Sequence, residues 1–201
     1  MKLLLTSAGI TNDSIAKSLQ KLLNKPPLEC RVGFIPTAAN VEEGNKDWFI
    51  NQFTNLQKYG FNWIDIIDIS APLIDWKRRL EEVDVIFVSG GNTFYLLDQI
   101  RKTGFDLWLK ENIEKKVYVG ASAGTIVTTP TIGVSSSAPA DPNISEIKNL
   151  EGLKLVDFEI SPHVPEHVSY KENEKYVKKS AINCMLSTII QLLKSPMIKL
   201  R

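Results

Sequence analysis

Short, unbroken apolar runs recur along the chain, each followed by a polar turn and then a segment of helical spacing. This alternation restricts the fold more than any other feature. Leu3 to Leu5, Arg31 to Pro36, Trp63 to Ile69, Asp84 to Ser89 and Val117 to Val119 are such runs, and Asp157 to Ser161 makes a sixth. A strand wetted on one face alternates apolar with polar residues, whereas an unbroken run requires burial on both faces. Between the runs, Ile15, Leu19, Leu22 and Leu23 keep a helical period up to Lys25-Pro26-Pro27, which must end a helix. Trp48, Phe49, Phe53 and Leu56 form a second amphipathic stretch, Trp76 to Glu82 a short helix, and Gly90-Gly91-Asn92 opens another. The pattern predicts an α/β fold: an open, doubly wound, mostly parallel sheet with helices on both faces.

With 201 residues the chain has the length of one domain, read as 1–201. A hydrophobic content of 43% against 23% charged excludes a disordered or collagen-like chain. No uncharged apolar stretch approaches the roughly 18 residues of a spanning helix, so no membrane partner is expected. Twenty-four basic residues nearly balance 23 acidic ones. A net charge of +1 offers no drive toward nucleic acid, and a small partner is expected. Cys30 and Cys184 form no spaced cluster, the usage of a reducing compartment, and a cytoplasmic location is the expectation. The start at Lys2-Leu3-Leu4-Leu5 breaks off at Thr6-Ser7, before the apolar core of a signal peptide could form, and reads as a first strand.

In an open parallel sheet ligands bind beyond the carboxyl ends of the strands, where the loops diverge. Ser89-Gly90-Gly91, Gly120 to Gly124 and Pro162-His163 all fall at such ends. Gly120-Ala121-Ser122-Ala123-Gly124 fits G-x-S-x-G between a strand and a helix, the context in which the pattern marks a nucleophile elbow. A serine hydroxyl needs a base within hydrogen-bond reach. The two histidines are His163, directly after a strand, and His167, further along; His163 is the expected base. Oxyanion donors would be the Ala123 N–H and the amide of Gly91, although Gly90-Gly91 also fits a tight strand-to-helix turn. His163-Val164-Pro165-Glu166-His167 also matches H-x-x-E-H, a zinc pattern. Pro165 between the two histidines and the lack of a third argue against it, so neither metal nor cofactor is expected. Neither phosphate-binding glycine pattern is present.

Taken together, Leu5-Thr6-Ser7-Ala8-Gly9, Gly33-Phe34-Ile35-Pro36-Thr37-Ala38, Val88-Ser89-Gly90-Gly91-Asn92-Thr93, the Ser122 turn and Ile160-Ser161-Pro162-His163 resemble the peptidase E family of aspartyl dipeptidases. The resemblance covers about residues 1–165. It implies a flavodoxin-like sheet related to class I glutamine amidotransferases and a serine exopeptidase acting on short peptides. Ser122 would be nucleophile, His163 base, and Gly91 and Ala123 oxyanion donors, with Gly90 beside them. Family members often place an aspartate about fifteen residues after the nucleophile, where this chain has Ser135-Ser136-Ser137. Asp141 is the next acid and the expected third member, with Asp157 and Glu159 as alternatives. Specificity for N-terminal Asp would require a cation. No arginine lies between Lys102 and Leu200, which leaves Lys171, Lys175 or Lys178. The part from about 166 to 201 is expected to be atypical: Tyr170 to Lys179 reads as helical and Ala181 to Leu193 as a second helix, where the family has closing strands. A homodimer is compatible with the family, and an impaired member that binds a peptide or metabolite without turnover is the alternative.

Overall fold

Five of the six runs become neighbouring parallel strands. A computed structural model describes residues 1–137 and 140–163, together with the backbone of Cys184–Leu186 and Ile189–Leu193. The strands are β1 (Lys2–Thr6), β2 (Arg31–Ile35), β3 (Trp63–Ile66), β4 (Val85–Val88) and β5 (Val117–Ala121). They alternate with helices α1 (Asp13–Leu22), α2 (Asp47–Lys58), α3 (Trp76–Glu81), α4 (Thr93–Thr103), α5 (Phe105–Asn112) and the single turn α6 (Ala123–Ile126). Three further strands are β6 (Glu159–Ser161), β7 (Cys184–Leu186) and β8 (Ile189–Leu193).

The main sheet has the order β3-β2-β4-β5-β1-β8. Its first five strands pair in parallel, and β8 lies antiparallel along β1, with Lys2 opposite Leu193 and Thr6 opposite Ile189. Leu3 and Leu5 join one buried cluster with Ile86, Val88 and Tyr118, under α4, α5 and α6. Leu4 joins the other with Phe34, Phe87 and Val119, under α1 and α2. Successive residues of one strand thus feed opposite layers, which is why the runs are unbroken. Among the described residues no helix is long and apolar enough to cross a membrane.

Two expectations need correction. Asp157 to Ser161 yields a strand only over Glu159–Ser161, and this strand pairs with β7 in a separate two-stranded sheet. The stretch from Ala181 to Leu193, expected as a helix, contributes β7 and β8 instead. An apolar stretch of this length fits either period, and what decides it is the free edge of β1, whose N–H and C=O groups need a partner. The expected helix over Tyr170 to Lys179, and His167, lie outside the described residues.

Candidate active site

The carboxyl ends of β1, β2, β4 and β5 meet at one edge, and side-chain bonds fix them there. Thr6 closes β1: its Oγ1 donates to the Gly120 carbonyl (2.8 Å) and accepts the Gly9 N–H (2.8 Å). Thr125 Oγ1 donates to the Thr6 carbonyl (2.8 Å) while accepting the Thr6 N–H (3.1 Å). Tyr118, fully buried, donates its hydroxyl to the Gly124 carbonyl at 2.6 Å, and burial holds its ionisation far above the ordinary phenol range. The turn around Ser122 is thereby tied to β1 from one side and to β5 from beneath.

Glycine is needed here because backbones touch. A Cβ on Gly124 would stand 2.2 Å from the Val88 carbonyl oxygen, and one on Gly120 2.6 Å from that of Gly124. Gly91 has φ +126, and a Cβ there would fall 2.2 Å from the Ala38 oxygen. Ala38 belongs to the turn after β2, and its carbonyl accepts the Asn92 N–H at 2.9 Å, so that turn braces Gly90-Gly91 from outside. Asp68 anchors the same turn by accepting from Thr37 Oγ1 (2.8 Å) and Asn40 Nδ2 (2.7 Å). Burial alone would raise its carboxyl pKa, but the hydrogen bonds from Ser70, Asn40 and Thr37 outweigh it and hold the group below the usual range.

Ser122 has φ 48 and ψ −110, outside both helix and strand regions, and its N–H donates to the Thr6 carbonyl (3.0 Å). His163 also has positive φ, +66, and its N–H donates to Ser7 Oγ (3.2 Å). A non-glycine residue in such a region costs on the order of 1–3 kcal/mol and persists only where the surroundings impose it. The two strained residues face one another: His163 Nε2 lies 2.9 Å from Ser122 Oγ. The fold thus brings together two side chains that lie 41 positions apart.

A cavity of about 290 Å³ opens in front of the pair, with Gly90 and Gly91 in its wall. Asp141 lines it too, and its carboxylate is held by the start of α4. Its Oδ2 accepts the Thr93 N–H at 2.9 Å, at the start of α4, while Asn92 Nδ2 donates to the Pro142 carbonyl (2.9 Å) and holds the loop down. Of the alternative acids, Asp157 is exposed and Glu159 buried. Glu42, Trp48 and Gln52 also line it, beside Ser7 and Ala8, and none of these three was a site candidate from sequence. Trp48 and Gln52 are set by the helical period of α2, but Glu42 ends an irregular turn that carries no periodic signal. Lys171, Lys175 and Lys178 lie outside the described residues. Among those described, no group of three or more His, Cys, Asp or Glu residues is placed to hold a metal.

A serine at a strained strand-to-helix turn, facing a histidine at the carboxyl edge of a parallel sheet, has the architecture of α/β serine hydrolases. Comparison with known proteins gives the family. The model of peptidase family S51 matches residues 3–194, and the chain belongs to this family of serine-type peptidases. It is 36% identical over 141 residues to the uncharacterized peptidase Lin0382 of Listeria innocua, covering 66% of this chain and 63% of the relative. It is 33% identical over 158 residues to the uncharacterized peptidase Lmo0363 of Listeria monocytogenes, covering 75% and 76%. The chain thus matches a little under two thirds of the length of the first relative and three quarters of the second. A crystal structure of a Listeria monocytogenes EGD-e protein provisionally assigned to peptidase E superimposes with a TM-score of 0.79 at 27% identity, covering 94% of both chains.

Proposed function

We propose that the chain is a serine exopeptidase that hydrolyses short peptides through an acyl-enzyme, with Ser122 as nucleophile and His163 as base. The observation that carries the reading is the 2.9 Å separation of Ser122 Oγ and His163 Nε2, at two residues whose backbones are both held at positive φ. In this reading the Ser122 hydroxyl donates to unprotonated Nε2. As Oγ attacks the scissile carbonyl, its proton passes to Nε2, and the imidazolium then delivers that proton to the leaving amine. Water, deprotonated by the same nitrogen, cleaves the acyl-serine ester and restores the serine.

The Gly91 and Ala123 amides serve as oxyanion donors. Gly91 is free of a side chain and backed by Ala38, and the Ala123 N–H follows the nucleophile directly. Such donors elsewhere contribute roughly 10²–10³ in rate each, because they are aimed before the charge develops. Asp141, with one oxygen on the Thr93 amide, belongs in this reading to the cavity wall and not to the proton relay.

A small fluorophosphonate probe tests the assignment. One adduct by intact mass, mapped to Ser122 and lost in Ser122→Ala and His163→Ala, is the expected result. A folded wild-type protein that takes up no adduct would refute it.

A further inference from the structure

Position 52 belongs to the stripe of α2 that faces the sheet. It stands three residues after Phe49 and four before Leu56, both packed in the layer around Phe34, yet it carries a glutamine. Gln52 is only 3% exposed, and its side chain lies in the wall of the cavity that holds Ser122 and His163. A carboxamide in such a place costs stability unless its groups are hydrogen-bonded. Its oxygen has a partner. Ser89, fully buried directly after β4, donates its hydroxyl to Gln52 Oε1 at 3.0 Å, a shorter contact than the 3.2 Å to its other acceptor, the Gly90 carbonyl.

The nitrogen differs. Among the described residues Gln52 Nε2 donates to no protein group. The carboxamide is planar, so its bond to Ser89 restrains the nitrogen as well, and the side chain has little room to turn, with Cγ 3.6 Å from where a Cβ on Gly9 would stand. Other polar groups of the wall are already engaged: Ser7 Oγ accepts the His163 N–H, and Asp141 Oδ2 accepts the Thr93 N–H. The anchor of the carboxamide also adjoins the nucleophile. Ser89 precedes Gly90, where a Cβ would stand 3.8 Å from Ser122 Oγ. A buried donor that is held in place and has no acceptor in the protein selects for a ligand that brings one, because a ligand without it leaves the donor unpaired.

We infer that Gln52 is a substrate-binding residue, whose Nε2 donates to a carboxylate or carboxamide oxygen of the peptide. The inference rests on Ser122 being the nucleophile of the same cavity. A short peptide offers such an oxygen from two sources: the side chain of an N-terminal aspartate or asparagine, and the C-terminal carboxylate of the residue that leaves. A neutral donor serves the ionised and the amide form of that acceptor.

The test measures kcat/KM for Asp-Leu, Asn-Leu, Leu-Leu and Leu-Leu amide on wild type, Gln52→Met and Gln52→Glu. The glutamate keeps the oxygen that Ser89 uses and puts a second oxygen where the nitrogen stood. Leucine matches asparagine in shape without its oxygen. In wild type either Asp-Leu and Asn-Leu should exceed Leu-Leu, or Leu-Leu should exceed its amide, by about tenfold or more, and each variant should lower that ratio about tenfold. The first result assigns the bond to the N-terminal side chain, the second to the C-terminal carboxylate. Damage to the fold slows all four peptides alike and moves neither ratio. Equal rates in wild type, or a ratio unmoved in either variant, overturns the inference. Equilibrium binding of the same peptides to Ser122→Ala, with and without Gln52→Glu, requires no turnover and should show the same ratios. It separates failure of this contact from failure of the nucleophile assignment, which the fluorophosphonate adduct reads alone.

Discussion

Replacing Gly124 by alanine should damage the site out of proportion to the size of a methyl group. The added Cβ would lie 2.2 Å from the Val88 oxygen, 2.8 Å from its carbonyl carbon and 3.0 Å from its Cβ. Ordinary contact is about 3.5 Å, so α6 and β4 must part by roughly an ångström, and both sides of the clash are backbone. Overpacking of this kind costs about 1–3 kcal/mol, and with no flexible side chain to yield, the upper end applies. At about 2–4 °C per kcal/mol for a chain of this size, the melting midpoint should fall by about 6–12 °C. The Thr125 and Ile126 N–H groups both donate to the Ser122 carbonyl (2.8 and 2.9 Å), so Ser122 moves with α6. A misplacement of that order costs about a hundredfold in rate. The assay is fluorophosphonate labelling of Ser122 followed by mass, beside thermal unfolding. Gly104→Ala is the control: Gly104 has φ +73 with nothing within 4 Å of its Cβ position, so the variant should lose about 1–2 kcal/mol while labelling normally. Gly124→Ala with an unchanged midpoint and a labelling rate within about threefold of wild type would refute the reasoning.

Three further outcomes are expected. Asp68→Ala should destabilise the protein by about 1–3 kcal/mol at neutral pH. Because the folded carboxyl titrates below its unfolded value, its contribution is complete above the unfolded pKa and is lost as pH falls through the folded one. Denaturant midpoints of wild type and variant should therefore converge in acid, and a gap that persists there counts against the assigned bonds. Tyr118→Phe should cost about 1–2 kcal/mol by leaving the buried Gly124 carbonyl without its donor, measurable by urea unfolding; a neutral result would mean that carbonyl finds another partner. A chelator should change neither the labelling rate nor the melting midpoint, and loss of stoichiometric zinc together with activity would overturn the serine mechanism.

The strand-turn-helix units were legible because their signals are local. An unbroken apolar run, a Gly-Gly or G-x-S-x-G turn and a helical period each occupy fewer than a dozen residues, and β1, β2, β4 and β5 follow directly from them. Ser122 and His163 could be named as candidates because each follows a strand, but β6 lies in a separate sheet, so their meeting depends on how that sheet packs against the main one and not on a shared edge. Other features depended on distant groups. Whether 181–193 forms helix or strand was settled by the edge of β1, which no local period reports. The capping of Thr93 by Asp141 depends on where a loop lands 48 positions later. The same holds for Glu42, whose place in the cavity follows from the brace between the Ala38 turn and Gly91 and not from any pattern in its neighbours.

The position of β1 bears on how the chain assembles during synthesis. Lys2 is paired in the sheet between Val117 and Leu193, so β1, which is synthesised before every other described strand, is among the last to be flanked on both sides. Until residue 117 emerges it has no neighbour in the sheet, and until residues 189–193 emerge one of its edges stays open to any extended chain nearby. Contacts of this separation close slowly. A nascent chain stalled before that point would already hold both Ser122 and His163, yet its β1 edge could template pairing between ribosome-bound chains, a hazard for the cell at the stage when catalytic residues are present but the sheet is not sealed.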